Sequence, residues 1–519
     1  MKEFILSNAE SRKVDNYTIN NLGISGRSLM KAAGNFITLK AKMSLKNIPG
    51  SRIDIFCGVG NNGGDGLVAA VDLIEMGASV KVWIVGEKSK ITGEPAWFLE
   101  RCNSEYVPVN YLNSADDLKM LNNLHETELI IDALLGTGIS GKVKGIMQEV
   151  IDKINTINHQ VISVDIPSGI NGTTGIVCGV AVKATKTVTM GFLKRGLLYN
   201  DGPKYSGQII LADINYPNES YSIIENKTWY YHKYDLQKVF PKIEPDTNKH
   251  RQGKVLVLAG SKGMSGAACL SSNAALRSGA GLVINAIPKS LNEIIETKLT
   301  EVMTLPVEES ASQTFCPKSM GDIKYKLDWA DVIVFGPGVS ADESVIHFGR
   351  ELIERTQKPI IIDADGLGIF YNNLDAIKNK PNLILTPHIG EFSKMTGIEV
   401  DKVREDRISA ALDFVKKYGC KLLLKGAHSI SINNDLTAIV NSTGNPGLAT
   451  AGSGDILSGI IAGFVAQGIE SYQATTAAMA VHGYSADLAS MDLGIRGLIA
   501  TDLLNYIPKV LKEFDQVDI

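Results

Sequence analysis

Residues 444–459 read Gly444-Asn445-Pro446-Gly447-Leu448-Ala449-Thr450-Ala451-Gly452-Ser453-Gly454-Asp455-Ile456-Leu457-Ser458-Gly459. Turn residues give way to small ones, then to a glycine-serine-glycine triplet, then to an acid that opens an apolar helix-like stretch. Gly452, Ser453 and Gly454 offer free backbone N–H groups at a helix start, an anion hole for a phosphoryl group in transfer. Asp455, in the first turn, is placed to take a proton from a substrate hydroxyl. The helix dipole alone favours an acid there, which accounts for Asp455 but not for the triplet before it.

Working outward, the strand Lys421–Leu424 ends in Lys425-Gly426-Ala427-His428-Ser429, which suits a nucleotide's phosphates or sugar. Further runs at Val255–Ala259, Leu282–Ala286, Val332–Phe335, Ile360–Asp363 and Leu383–Thr386 also read as strands. Most are continuously apolar rather than alternating, the pattern of strands buried on both faces in a parallel sheet. Several end in turn chemistry: Gly260-Ser261-Lys262-Gly263, Gly336-Pro337-Gly338, Asp363-Ala364-Asp365-Gly366 and Thr386-Pro387-His388. The small residues around Ala267 and Ala268 let a helix lie close to a sheet or to a flat ligand. His388, in a Pro/Gly turn at a strand end, reads as a ligand contact rather than a core histidine.

The first half has the same texture, with strands expected at Ile53–Cys57, Val80–Val85, Leu129–Ala133, Val161–Asp165, Thr187–Gly191 and Gln208–Ala212. The first strand leads into Gly58-Val59-Gly60-Asn61-Asn62-Gly63-Gly64-Asp65-Gly66, a GxGxxG loop opening a helix. Such a match alone also fits a tight turn without a ligand, but the Asn-Asn and Asp are polar groups that a bare turn does not require. A second loop, Gly136-Thr137-Gly138-Ile139-Ser140-Gly141-Lys142, misses a P-loop by one residue, since Val143 stands where the magnesium-binding hydroxyl belongs. A third strand ends in Asp165-Ile166-Pro167-Ser168-Gly169. Asn62, Asp132 and Ser168 offer hard oxygens to a monovalent or divalent cation. Both halves therefore read as α/β, doubly wound. The polar aromatic and Pro-containing stretch 215–253 reads as a linker, giving domains 1–220 and 221–519. The first thirty-five residues look helical and precede the first strand.

Composition agrees. The chain has 519 residues, 44% hydrophobic and 21% charged, with 50 glycines and a net charge of −4. That is too long for one ordinary core and argues against a chain-wide nucleic-acid footprint. The six cysteines form no CxxC pair, no apolar run is long enough for a membrane span, and the first residues do not read as a signal peptide. The expectation is a cytoplasmic protein without nucleic-acid or membrane partners.

The motifs in order carry a resemblance. The Gly-Ser-Gly-Asp start of a small-residue helix resembles the ribokinase-like fold. With Thr386–Glu391 and Lys425–Ser429 it is similar to that fold's NAD(P)H-hydrate dehydratase branch. Gly58–Gly66, Asp132–Gly141 and Asp165–Gly169 resemble NAD(P)H-hydrate epimerase, a Rossmann-like three-layer domain. The fused order resembles the microbial bifunctional repair family. The resemblance implies epimerisation of hydrated NADH and NADPH in the first domain and dehydration of the S epimer in the second. It further implies ADP as co-substrate, K+ in the first domain, Mg2+ in the second, and a homo-oligomer. Asn61, Asn62, Gly63, Gly64, Asp65 and Gly136–Lys142 would cradle the dinucleotide. Asp165 would be the acid/base group, and Asn62, Asp132 and Ser168 would hold K+. Ala267 or Ala268, Gly338 and His388 would line the second pocket. Lys425, Gly426, Ala427, His428, Ser429, Gly452, Ser453 and Gly454 would hold the nucleotide, with Asp455 as base. A small-molecule kinase of the ribokinase-like class is the competing reading, but it leaves the first domain's three motifs without a role.

Overall fold

The computed structural model describes residues 3–515 except 140, 226 and 379. The chain divides into two compact units, Glu3–Glu225 and Asn226–Ile519.

In the first unit seven strands lie in the order Val109–Leu112, Ser79–Val85, Arg52–Cys57, Leu129–Ala133, Gln160–Val164, Lys186–Met190 and Gln208–Ala212. Every neighbouring pair is parallel. Numbered along the chain, this is 3-2-1-4-5-6-7. The order reverses between Arg52–Cys57 and Leu129–Ala133, and a doubly wound sheet opens its ligand crevice at the carboxyl ends of such a pair. The two strands are buried on both faces. Ile53, Ile55 and Cys57 pack under helices Gly26–Ser44 and Asn61–Glu75, while Phe56 and Ile130 face the layer holding helix Ile146–Asn155. This is why their sequence is continuously apolar.

Among the described residues of the second unit, seven parallel strands, numbered from Lys254–Leu258, again run 3-2-1-4-5-6-7: Met303–Val307, Leu282–Pro288, Lys254–Leu258, Val332–Phe335, Ile360–Ile362, Leu383–Leu385, Lys421–Leu424. Antiparallel Ile430–Ile432 and Ala438–Asn441 extend the sheet. Helix Ser453–Ala466 packs on helix Ser265–Arg277, and helices Ser471–Leu493 and Ala500–Leu511 complete that side of the core.

Two expectations are corrected. Thr228–Tyr231, read as linker, is a strand paired in parallel with Ala438–Asn441. Its aromatic residues supply β propensity that the flanking turn residues had masked. The helices Asn8–Asn20 and Gly26–Ser44 do not begin the chain's structure, because strand Glu3–Leu6 precedes them and pairs with Leu193–Lys194. The helix after the second glycine loop starts past Gly145. No helix among the described residues is long and apolar enough to cross a membrane.

Candidate active sites

In the first unit a cavity of about 560 Å³ lies at the switch point. The two glycine loops form one rim, and Asp165, Lys194, Asp15 and Tyr216 enter it from other elements. The glycines divide by role. A Cβ at Gly58 would run into the Leu134 carbonyl, and one at Gly63 into the Gly58 carbonyl, so these two serve close backbone approach. A Cβ at Gly64 would meet the Met30 Cε at 2.7 Å. A Cβ on Gly63 or Gly64 would thus meet protein, and neither residue lines the cavity. Gly60 and Gly138 meet nothing within 4 Å and line the cavity. Asn61, Asn62, Asp65, Gly136, Thr137 and Ile139 also line it. Gly141 and Lys142 are exposed, and Ser140 lies outside the described residues.

Asp165 sits just past strand Gln160–Val164 with φ +66°, an uncommon conformation for a residue with a Cβ and one often found at functional sites. Its Oδ1 accepts from the Met190 amide at 3.2 Å and forms an ion pair with Lys194. Lys194 is buried, donates to the Met190 carbonyl at 2.8 Å, and lies 4.4 Å from the Phe192 ring centroid. Burial pushes Asp65 well above the usual carboxylate range; the charges of Asp165 and Asp15 add to this, and Lys194 opposes it. Asp15 is also raised by burial, against the hydrogen bond it accepts from Tyr216.

Asp132 is fully buried at the end of its strand. It accepts from Ser163 Oγ at 2.7 Å, the Ser168 amide at 2.9 Å, Ser168 Oγ at 2.5 Å and the Leu134 amide at 3.3 Å. All four donors are neutral, and burial raises its pKa despite them. Ser168 Oγ also lies 3.2 Å from the Leu135 carbonyl, and the buried Asn62 Nδ2 has no partner. A buried carboxylate with uncharged partners beside further hard oxygens fits a monovalent cation. Among the described residues no group of three His, Cys, Asp or Glu is placed to hold a metal.

In the second unit the parallel strands bring Gly260, Gly336–Gly338, Asp363, His388 and Lys425 to one sheet edge. Gly452, at φ +88°, caps helix Ser453–Ala466, whose first turn carries Asp455. The Ile456 amide makes the 3.2 Å bond to the Gly452 carbonyl, while the amides of Gly454 and Asp455 precede the first full turn. Burial and the charge of Asp363 lift Asp455 to a pKa of about 7, with Lys425 opposing. Lys425 Nζ bonds Asp363 Oδ1 at 2.6 Å and lies 4.0 Å from Glu391. A Cβ on Gly454 would sit 3.3 Å from that ammonium. The Asp455 carboxyl group, the Lys425 ammonium and the helix N-terminus are thus contiguous.

The other residues expected at this site differ in what they touch within the protein. Ala268 is in the core, packed beneath Gly260, whereas Ala267 is half-buried. One helical step of about 100° separates the two faces. Gly338 is buried at φ +63°, and a Cβ there would meet Ala267 at 2.9 Å, so it serves close approach of its loop to the start of helix Ser265–Arg277. His388 is the N-cap of helix Ile389–Thr396: its Nδ1 accepts from the Glu391 amide at 3.1 Å, and its side chain is 59% exposed. Ser453 turns its Oγ inward to His482 Nε2 at 3.1 Å, and burial holds that histidine neutral by lowering its pKa to about 4. His428, at φ +52°, faces the Asn441 carbonyl through Nδ1 at 2.9 Å. Ser429 Oγ closes a turn with Gly426 at 2.9 Å. Gly426 and Ala427 are exposed.

Sequence reasoning missed Lys194, Asp15 and Tyr216, and gave Asp363 no site role. Asp363 carried a signal as the acid at a parallel strand's carboxyl end. Asp15 in mid-helix and Tyr216 near the domain boundary carried none.

Residues 26–196 match the family described as YjeF-related protein N-terminus, and residues 255–509 match NAD(P)H-hydrate dehydratase. The bifunctional NAD(P)H-hydrate repair enzyme of Moorella thermoacetica is 33% identical over 99% of this chain and 97% of its own length. That of Thermofilum pendens is 36% identical over 97% and 95%, and that of Escherichia coli 31% over 88% and 84%. Among solved structures, the chain is similar to the ADP/ATP-dependent NAD(P)H-hydrate dehydratase from Bacillus subtilis co-crystallised with ATP/Mg2+. That match has a TM-score of 0.47 and 27% identity, over 55% of this chain and 98% of that one. A ribokinase-like superfamily protein from Enterococcus faecalis matches with a TM-score of 0.49 and 24% identity, over 56% of this chain and 97% of that one. With relatives of this identity aligned along nearly its whole length, the chain belongs to the family of bifunctional NAD(P)H-hydrate repair enzymes.

Proposed function

We propose that the first unit interconverts the R and S hydrates of NADH and NADPH, and that the second dehydrates the S epimer using ADP. In the first unit the loops at 58–65 and 136–142 would hold the dinucleotide, with the open glycines Gly60 and Gly138 admitting its phosphates. Asp165, fixed by Lys194, would serve the hydrated carbon. Asn62, Ser168 and the charge of Asp132 would hold K+, which supplies a positive charge beside the bound anion.

In the second unit Asp455 would take the proton of the substrate hydroxyl as its oxygen attacks the terminal phosphorus of ADP, and AMP would leave. The amides at the start of helix Ser453–Ala466 and the Lys425 ammonium would face the transferring phosphoryl group. The carbon–oxygen bond would then break with phosphate as leaving group while the neighbouring carbon loses a proton. Phosphate leaves far more readily than hydroxide, which is what the nucleotide contributes. Mg2+ would enter on the nucleotide's phosphates and neutralise charge there.

The observation that carries this reading is the junction of Asp455, Lys425 and the helix start, with Asp455 tuned to about 7. A base working near neutral pH needs a pKa in that range. The test is supply of separated hydrates with ADP or ATP while following recovery of reduced-nicotinamide absorbance. Asp455→Asn is expected to abolish recovery and leave R/S interconversion intact. Loss of both activities in a folded protein would contradict the division of labour, and no recovery by the wild type with either nucleotide would exclude the repair reading.

A further inference from the structure

The epimerase reading employs Asp165 and, through its ion pair, Lys194. The same cavity also holds Asp15 and Tyr216, to which that reading gives no part. Neither belongs to a glycine loop, and both lie outside the matched residues 26–196. Asp15 is in helix Asn8–Asn20, and Tyr216 follows strand Gln208–Ala212. The fold joins them: Tyr216 Oη donates to Asp15 Oδ1. The Tyr216 ring stacks on Phe192 at 5.8 Å between centroids, and Phe192 in turn carries the Lys194 ammonium on its face. One cavity thus holds one carboxyl group paired with a cation and another paired with a neutral phenol. Two carboxyl groups in such unlike settings suit the acid and the base of one site.

The chemistry needs two such groups. The hydrated carbon bears a hydroxyl and the ring nitrogen, whose lone pair stabilises a cation at that carbon. Inversion follows if the carbon–oxygen bond breaks and re-forms on the other ring face. The departing hydroxyl then needs a proton, and the incoming water must give one up. We propose that Asp15, held by Tyr216, is a second catalytic residue of the epimerase site, protonating the departing hydroxyl while the Asp165 carboxylate takes a proton from the incoming water. One water leaves as one enters. Asp15 ends ionised and Asp165 protonated, and exchange of one proton with solvent at each restores both before the next turnover. This rests on the epimerase reading and assigns its acid. Burial, which raises Asp15, agrees. The charged and titratable groups around Asp15 are Arg12 on its own helix, Asp65, Asp165, Lys194 and Tyr216, with Tyr221 edge-on to Tyr216 at 6.1 Å.

The test uses the full-length protein and the isolated R hydrate, with R-to-S exchange measured across pH and dehydration of the S hydrate as internal control. Asp15→Asn is expected to slow exchange by ~10²-fold or more, as for loss of a general acid, with dehydration unchanged. Asp15→Glu should recover part of it. Tyr216→Phe removes a hydrogen bond that stabilises ionised Asp15, so the alkaline limb of the exchange profile should move to higher pH, which a purely structural role would not produce. Exchange by Asp15→Asn within about threefold of wild type would overturn the proposal, as would an unmoved limb in Tyr216→Phe. If Asp15→Asn loses dehydration as well, the Tyr216→Phe profile decides. A wild type that exchanges no epimers while dehydrating the S hydrate would instead remove the epimerase reading, and this proposal with it.

Discussion

Asp455 works because of what surrounds it. Its carboxyl group is pushed to about 7 by burial and by Asp363, and Lys425 restrains the rise. Only the ionised form accepts a proton, so dehydratase kcat/KM should fall as pH drops below about 7 and level off above it. Lys425→Met removes the restraining charge, and the same limb should then move to higher pH. It also leaves Asp363, whose side chain is 1% exposed, as a buried unpaired acid. Breaking such a pair costs about 3–5 kcal/mol, to be read from denaturant unfolding. The glycines of the first unit make a paired prediction. Gly138→Ala has room for its methyl and should weaken hydrate binding with little change in stability. Gly63→Ala drives a methyl into the Gly58 carbonyl and should lower stability. Substrate KM beside a melting curve separates the two. Asp455 was legible from sequence because a helix start is local chemistry. Its tuned pKa was not, since Asp363 and Lys425 lie 92 and 30 positions away in the chain.

At the scale of elements, helix Ser453–Ala466 is held by close contact. A Cβ on Gly463 would lie 2.7 Å from the Ala275 carbonyl, and one on Gly459 would strike the Ser271 carbonyl. Ser271 Oγ donates back to the Asp455 carbonyl at 2.8 Å. Helix Ser265–Arg277 thereby sets the height of helix Ser453–Ala466 and of the base it carries. Gly459→Ala is expected to cost about 1–3 kcal/mol by overpacking and to lower dehydratase turnover without touching the substrate. The loop before the helix is held from the other side, as Asp487 accepts from the Gly444 amide at 2.9 Å and from Asn445 Nδ2 at 3.0 Å. The small-residue pattern was visible in the sequence. Which helix it served was not, because close packing in one dimension names no partner.

At the scale of the molecule, the two units repeat one strand order and place a site at the carboxyl edge of each sheet. Each has its own hydrophobic core. Calorimetry of the whole chain should therefore resolve two unfolding transitions, and ADP with Mg2+ should raise only that of the unit holding Asp455. A single transition, or an equal shift of both, would contradict this.

Alone, the sequence determined the α/β class, the two-part organisation, most strand positions and the acids at strand ends and at the helix start. These follow from short-range physics: continuous apolar runs, turn chemistry and amides at helix termini. Only the tertiary structure decided which glycines face a cavity and which face a carbonyl, and that Ala267 rather than Ala268 looks outward. It alone made Thr228–Tyr231 a strand, and it alone joined Asp15 to Tyr216 beside Asp165 and Lys194. Such contacts depend on distances between residues far apart in the chain, and no local pattern records them.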